Sequence, residues 1–258
     1  MNKAVITSIK DRVGYITLNR PEKRNALNDE MVGELKQSLG DFENSSEVKV
    51  IVIRASGKVF CSGADLAYLQ SLQTNTFEEN LADSRSLKEL FYRIYTSQKV
   101  IIAEVQGHAL AGGCGLATVC DFSFAAEGAK FGYTEVKIGF VPAIVKVFLI
   151  RKIGEGKAKQ LLLDGDLIEA DEARAMGLVN WVVSPEDLED KVFAYARKLI
   201  EQNSSQSLSL TKEMIGRVQE KSLEDGLDYA ARMNAKARGS EDCQRGIAAF
   251  LNKEKLTW

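Results

Sequence analysis

Val100-Ile101-Ile102-Ala103-Glu104-Val105, followed after one residue by Gly107-His108-Ala109-Leu110-Ala111-Gly112-Gly113-Cys114-Gly115, decides how this chain is read. The first run is β-branched and apolar, the composition of a strand buried on both faces. The glycine-bearing run comes next, and the apolar Leu116-Ala117-Thr118-Val119 segment continues it as a helix. At such a strand-to-helix junction the first helical N–H groups lack internal partners, and the helix dipole favours negative charge. Small residues let a ligand approach that backbone closely. The plainer reading is that each glycine only makes a turn. The run is not a Walker loop, which ends in Gly-Lys-Ser/Thr. Nor is it a dinucleotide turn, because Gly112, Gly113 and Gly115 are too closely spaced.

A second junction lies upstream, where Ser62-Gly63-Ala64-Asp65 follows the β-branched strand 48–53. Two N–H groups aimed at one point from two such turns make an oxyanion hole. Further out, residues 4–9 and 13–18 read as strands around a tight polar turn. The polar loop Asn19-Arg20-Pro21-Glu22-Lys23-Arg24-Asn25 follows, and Asn28 or Asp29 caps a helix with Met31, Leu35, Leu39 and Phe42 at helical spacing. Residues 70–83 have weak periodicity and read either as a mobile flap over a site or as an ordinary surface loop.

From Ile144 onward the pattern is mostly helical. Residues 170–176 form a short helix and 179–183 a short strand. Pro185 opens a helix with Leu188, Val192, Tyr195 and Leu199, and helices over 223–238 and 240–253 close the chain. The serine-rich run 204–209 reads as a loop. The pattern is mixed α/β up to about Gly139 and almost all α beyond it. That suggests a sheet-based core with a helical C-terminal part, packed on its own chain or on a neighbouring subunit.

Composition narrows the function. With 45% apolar and 27% charged residues the chain reads as an ordinary globular protein of one main domain. A net charge of −2 without a basic run argues against nucleic acid as a partner. No apolar stretch is long enough to span a bilayer, and the N-terminal residues do not read as a signal peptide, so a cytoplasmic location with no membrane partner is expected. The four cysteines, Cys61, Cys114, Cys120 and Cys243, include no Cys-x-x-Cys pair, and His108 is the one histidine. A zinc site, a disulfide framework and a Ser-His or Cys-His nucleophile are all poorly supplied, which leaves carboxylates and backbone dipoles.

At this point the ordered motifs resemble the enoyl-CoA hydratase/isomerase (crotonase) superfamily. They are Asn19-Arg20-Pro21 with Asn25-Ala26-Leu27, Phe60-Cys61-Ser62-Gly63-Ala64-Asp65, the 107–115 turn with Cys120-Asp121, and Ala129-Lys130-Phe131-Gly132. Glu135 with Ile138-Gly139 and Ala173-Arg174-Ala175-Met176-Gly177-Leu178-Val179 complete the set, which covers nearly the whole chain. The resemblance implies an α/β fold: a crotonase-like spiral of repeated ββα units over residues 1–195, and a helical C-terminal oligomerisation region over 196–258. It also implies an acyl-CoA substrate, a homotrimer or a dimer of trimers, and no metal or redox cofactor, coenzyme A being part of the substrate.

Carried over, the oxyanion-hole N–H groups fall on Ala64 and Gly112, with Ser62, Gly63, Asp65 and Gly113 in the substrate-lining turns. Lys23, Arg24, Ala26 and Leu27 match the segment that contacts the coenzyme's nucleotide part. For Lys23 and Arg24 a solvated charged loop is the plainer reading. Lys253, in Phe250-Leu251-Asn252-Lys253, matches the last helix, which reaches a neighbour's coenzyme.

Hydratases of this fold commonly use two glutamates. The first acid position, three residues after the oxyanion-hole glycine, is Gly115 here; the second is Glu135, present in Tyr133-Thr134-Glu135-Val136-Lys137. The family's Pro-Gly-x-Gly-Gly run is also replaced, by Gly139-Phe140-Val141-Pro142-Ala143-Ile144-Val145-Lys146-Val147-Phe148. That pairing resembles the bacterial 3-methylglutaconyl-CoA hydratase group, in which Lys146 would meet a substrate's second carboxylate. An exposed helical lysine is its plainer reading, and His108, which could line the acyl pocket, reads more simply as packed beside a turn. The expectation is a hydratase using Glu135. Its rivals are an enoyl-CoA isomerase with the same hole and acid, and a non-catalytic CoA- or RNA-binding protein of the same fold.

Overall fold

The computed structural model describes residues 3–258. The chain opens with β1 (Val5–Lys10) and β2 (Val13–Leu18), then the 3-10 turn Pro21–Lys23, α1 (Asp29–Asn44) and β3 (Val50–Ala55). Next come α2 (Leu66–Ser71), α3 (Phe77–Thr96), β4 (Val100–Val105), β5 (Ala109–Leu110), α4 (Gly112–Val119), β6 (Phe122–Ala126) and β7 (Lys130–Gly132). A 3-10 turn at Glu135–Ile138 leads to α5 (Val145–Asp164, broken at Gly154), β8 (Ile168–Glu169), α6 (Ala170–Met176) and β9 (Trp181–Val183). Four helices finish it: α7 (Leu188–Gln202), α8 (Ser205–Val218), α9 (Leu223–Arg238) and α10 (Glu241–Leu251).

The large sheet has the order β1-β2-β3-β4-β6-β9, antiparallel between β1 and β2 and parallel from there on. A smaller sheet, β5-β7-β8, stands beside it, and isolated bridges Cys61↔Ala109 and Leu27↔Ala64 extend its edge. From β2 to β7 the chain thus repeatedly gives one strand to the large sheet, one short piece to the small sheet or its bridges, and then a helix. This is the expected α/β spiral of ββα units, followed by helices.

Alternation along the parallel strands feeds two cores. Ile51, Ile53, Ile101, Ala103 and Val105 face the helices α1, α3, α4 and α5, while Val50, Val52, Val100 and Ile102 face α7. α7 runs through residue 195 without a break, and its Leu199 and Ile200 belong to the core beneath the sheet. Among the described residues no helix is long and apolar enough to cross a membrane.

Two segments differ from the sequence reading. Residues 70–83 are only partly a loop: a turn over 72–76 joins the end of α2 to the first turns of α3, started by a capping box in which Thr76 and Glu79 satisfy each other's backbone N–H. The serine run is likewise the start of α8, because the Ser204 hydroxyl accepts from Ser207 N at 3.0 Å and so serves as its N-cap.

Candidate active site

The loop before α1 is shaped by Asn25, which is fully buried and, like Arg24, takes the left-handed conformation at φ 52°. Its Nδ2 donates to the carbonyls of Ser56 and Val59, each at 2.8 Å, and its Oδ1 accepts from Arg20 N at 2.9 Å. A buried amide satisfied on three sides fixes the path of the chain. Arg20 completes the latch by donating to the Ala26 carbonyl and to Asp65 Oδ2, both at 3.0 Å. Asp65 Oδ1 accepts from Ala67 N at 2.9 Å and caps α2. Burial opposes the charge on Asp65, but the Ala67 N–H and the Arg20 guanidinium outweigh it and hold the carboxyl below its ordinary value.

This latch holds two backbones side by side. Leu27 N donates to the Gly63 carbonyl at 2.7 Å, Asp65 N donates to the Leu27 carbonyl at 3.0 Å, and Ser62 N donates to the Arg24 carbonyl at 3.1 Å. In a parallel bridge these bonds go to the residues flanking Ala64, so its own N–H points away from Leu27. Gly63, at φ 92°, lies against the second turn: a Cβ there would be 2.8 Å from the Ala111 Cβ and 3.5 Å from Gly112 N. Gly113 is needed for closeness too, since its Cβ would stand 2.3 Å from the Cys61 carbonyl oxygen.

Ala111, the N-cap of α4, adopts φ 48° and ψ −123°, a conformation that L-residues avoid. Its N–H donates to the Gly132 carbonyl at 2.8 Å, which turns the following residue, Gly112, into the free first position of the helix. Among the described residues, neither the Ala64 N–H nor the Gly112 N–H has an acceptor. At the other end of α4, the Lys152 ammonium closes the helix on the Thr118 and Cys120 carbonyls, each at 3.0 Å.

Glu135 arrives on the strand that holds this turn. β7 pairs with β5 in the register Leu110↔Gly132, and Glu135 opens the 3-10 turn that follows. Between them, fully buried Tyr133 is hydrogen-bonded through its hydroxyl to Thr118 Oγ1 of α4 at 2.8 Å, fixing the segment to that helix. Glu135 is 9% exposed, and its Oε2 has no partner among the described residues. Burial pushes its carboxyl above the usual value, and the hydrogen bond from its own N–H pulls only partly back. A buried carboxyl with an unpartnered oxygen, on the segment bonded to the turn that carries a free N–H, has the chemistry to move protons next to a developing oxyanion.

The structure brings together Ala26, Leu27, Ser62, Gly63, Ala64, Asp65, Gly112, Gly113 and Glu135. Lys23 and Arg24 are exposed on the loop at its edge, and Lys146 is exposed at the start of α5. Lys253 follows α10, whose packing partners are α8 and α9, and the single chain does not carry it to the turns. His108 Nδ1 accepts from Lys130 N at 3.2 Å, a packed histidine beside the turn. Sequence reasoning gave Arg20 and Asn25 no role. The signal was a polar Asn standing between Arg24 and the apolar Ala26-Leu27 pair. The carboxylate of Asp65, read as a substrate contact, is engaged by Arg20 and the α2 cap.

The enoyl-CoA hydratase/isomerase family model matches residues 8–258. The chain is 46% identical over 244 residues to a Thermus thermophilus protein provisionally described as an enoyl-CoA hydratase, covering 95% of this chain and 96% of that one. It is 35% identical over 260 residues to the crotonyl-CoA hydratase of Syntrophomonas wolfei, covering 98% and 97%. Among solved structures, an enoyl-CoA hydratase of Mycobacterium smegmatis superposes with a TM-score of 0.93 at 29% identity, covering 99% of this chain and 98% of that one.

Proposed function

The chain belongs to the enoyl-CoA hydratase/isomerase family, and on that footing we propose that it adds water across the conjugated double bond of a 2-enoyl-CoA. The thioester oxygen accepts from Ala64 N and Gly112 N, which draws electron density from the double bond. The Glu135 carboxylate takes one proton from water as the water oxygen bonds to C3, and the π pair moves into the thioester enolate. The enolate then collapses, and C2 takes that proton from Glu135. One water is consumed and Glu135 is regenerated.

The observation that carries this reading is the unpartnered Glu135 Oε2, buried on the segment bonded to the turn that presents Gly112. The test is loss of enoyl-thioester absorbance. Glu135→Gln should lower turnover by about 10²-fold or more, and unchanged turnover removes Glu135 from the mechanism. Gly115 favours a second reading, isomerisation by one acid that removes a proton and returns it elsewhere. An unconjugated enoyl-CoA that gains absorbance, with no hydration of the conjugated one, selects that reading. Absence of turnover on every acyl-CoA selects a non-catalytic binding protein.

Within this proposal the substrate is a branched or dicarboxylic enoyl-CoA of the 3-methylglutaconyl type, with exposed Lys146 meeting the second carboxylate. Lys23 and Arg24 meet the coenzyme's phosphates beside Ala26 and Leu27, and Lys253 serves a neighbouring subunit's coenzyme. The reaction needs no metal or redox cofactor. Exposed Leu223, Leu227, Phe250 and Leu251 on α9 and α10, at 82%, 63%, 82% and 73%, support burial of this region in a homotrimer or a dimer of trimers.

A further inference from the structure

The two departures from the family pattern, Gly115 and the segment 139–148, meet at one point. Gly115 is buried one helical turn along α4 from Gly112, on the same side of the helix. A Cβ at Gly115 would lie 2.2 Å from Val145 Cγ1, 3.0 Å from Val145 Cβ and 3.5 Å from Phe91 Cζ. Val145 opens α5, is 4% exposed, and is β-branched, so its rotamer is fixed by the helix. Phe91 is fully buried and packs edge-on against Phe148 with centroids 6.2 Å apart, which closes the other side. α5 also packs on the 3-10 turn that carries Glu135. The acid position is therefore occupied, not vacant: a side chain from the variant segment fills the space where one would start.

We propose that Val145 is a specificity-determining residue that excludes a second carboxylate. It sets an apolar wall one helical turn from the oxyanion hole, so that water is held by Glu135 alone. The loss of the acid and the loss of the glycine-rich run are then one steric event. This inference rests on the hydratase reading and adds to it the residue that makes the reaction a one-acid reaction.

The test compares wild type with Gly115→Ala, Val145→Ala, the G115A/V145A pair, and G115E/V145A with and without Glu135→Gln. Overpacking by Gly115→Ala should lower the Tm by about 5 °C or more and reduce turnover. Adding Val145→Ala should bring both back to the level of Val145→Ala alone. In G115E/V145A, kcat/KM for crotonyl-CoA should show a second ionisation against pH. That background should also keep at least about 10-fold more activity after Glu135→Gln than Glu135→Gln alone, since a second acid is then in place. A Gly115→Ala protein as stable and active as wild type, a pair no better than Gly115→Ala, or an unchanged pH profile in G115E/V145A overturns the proposal. Absence of wild-type turnover on every enoyl-CoA instead sinks the hydratase reading, while the unfolding comparison still measures the 115–145 coupling without substrate.

Discussion

Among the described residues two carboxylates are buried with an oxygen left unpartnered: Glu135 beside the glycine turns, and Glu104 on β4, sharing the face of Val100 and Ile102 beneath α7. They are equally hidden, at 9% and 7% exposure, and burial raises both. For Glu104 burial acts first, Arg54 pulls back, Glu189 pushes further, and the carboxyl ends at about 7. Their neighbours differ. Glu135 follows the strand bonded to the turn whose Gly112 N–H has no acceptor. Glu104 has Arg54, which lies 4.4 Å over the Tyr15 ring and pairs with Glu189 at 3.1 Å, and Phe124 opposite it on β6. A raised pKa therefore marks a buried carboxyl and does not by itself separate the two; the proposed role of Glu135 rests on what lies beside it.

The largest effect should split the pair in turnover. Glu135→Gln should lose about 10²–10⁴-fold in kcat. Glu104→Gln should stay within about threefold, because Glu104 touches neither turn. Equal losses measured on the same enoyl-CoA would erase the distinction between the two regions.

Next comes the latch that belongs only to the Glu135 region. Arg20→Ala frees Asp65 and the Ala26 carbonyl, so Ala64 N–H is no longer held in register with Leu27. Turnover should fall by about 10–100-fold with KM changed less, since misplacing a donor by an ångström weakens transition-state contact more than binding. Arg20→Lys keeps a charge on Asp65 but cannot span both partners, and should recover only part of the loss. A fall confined to KM would assign Arg20 to binding instead.

The third contrast is in stability. Between about pH 4.5 and 7 the folded protein keeps on Glu104 a proton that the unfolded chain has released, so stability falls as pH rises through that window. The shift from 4.5 to about 7 corresponds to something on the order of 3 kcal/mol. Glu104→Gln removes this slope, so its Tm advantage over wild type should grow from pH 5 to pH 8. Thermal unfolding across pH checks it, and parallel curves for the two proteins would contradict the assignment.

The contrast also explains what was legible beforehand. The β-branched runs around Ile51 and Ile101 give the parallel strands, because burial on both faces leaves no other composition. The two turns were legible because the close backbone approaches at Gly63 and Gly113 need glycine whatever the side-chain chemistry, while the choice of the Ala64 and Gly112 N–H groups came from the resemblance. Three things were hidden for physical reasons. The first turns of α3 are exposed and polar, and the buried Leu90, Phe91 and Ile94 come only near its end, so no apolar period announces the helix start. The bond from Arg20 to Asp65 joins residues 45 apart, and only the fold brings them together. The missing acid at Gly115 was readable, but Val145, which fills its space, is a contact between distant segments.

The smallest effect concerns strain, which also separates the regions. Glu104 sits in a regular strand, whereas Ala111, between the Gly63 and Gly112 turns, holds φ 48° and ψ −123°. Such a conformation stores about 1–3 kcal/mol, offset in part by the tighter unfolded ensemble of Ala relative to Gly. Ala111→Gly should therefore stabilise the protein by up to about 1 kcal/mol, a Tm rise of about 2–4 °C. The Ala111 N–H would keep its bond to Gly132, so the gain would come from relief of the backbone alone. The more mobile Gly would define the Gly112 donor less sharply, and kcat should fall slightly as Tm rises. A drop in both would show that the Ala111 methyl, packed against Gly63, supports the turn more than its conformation strains it.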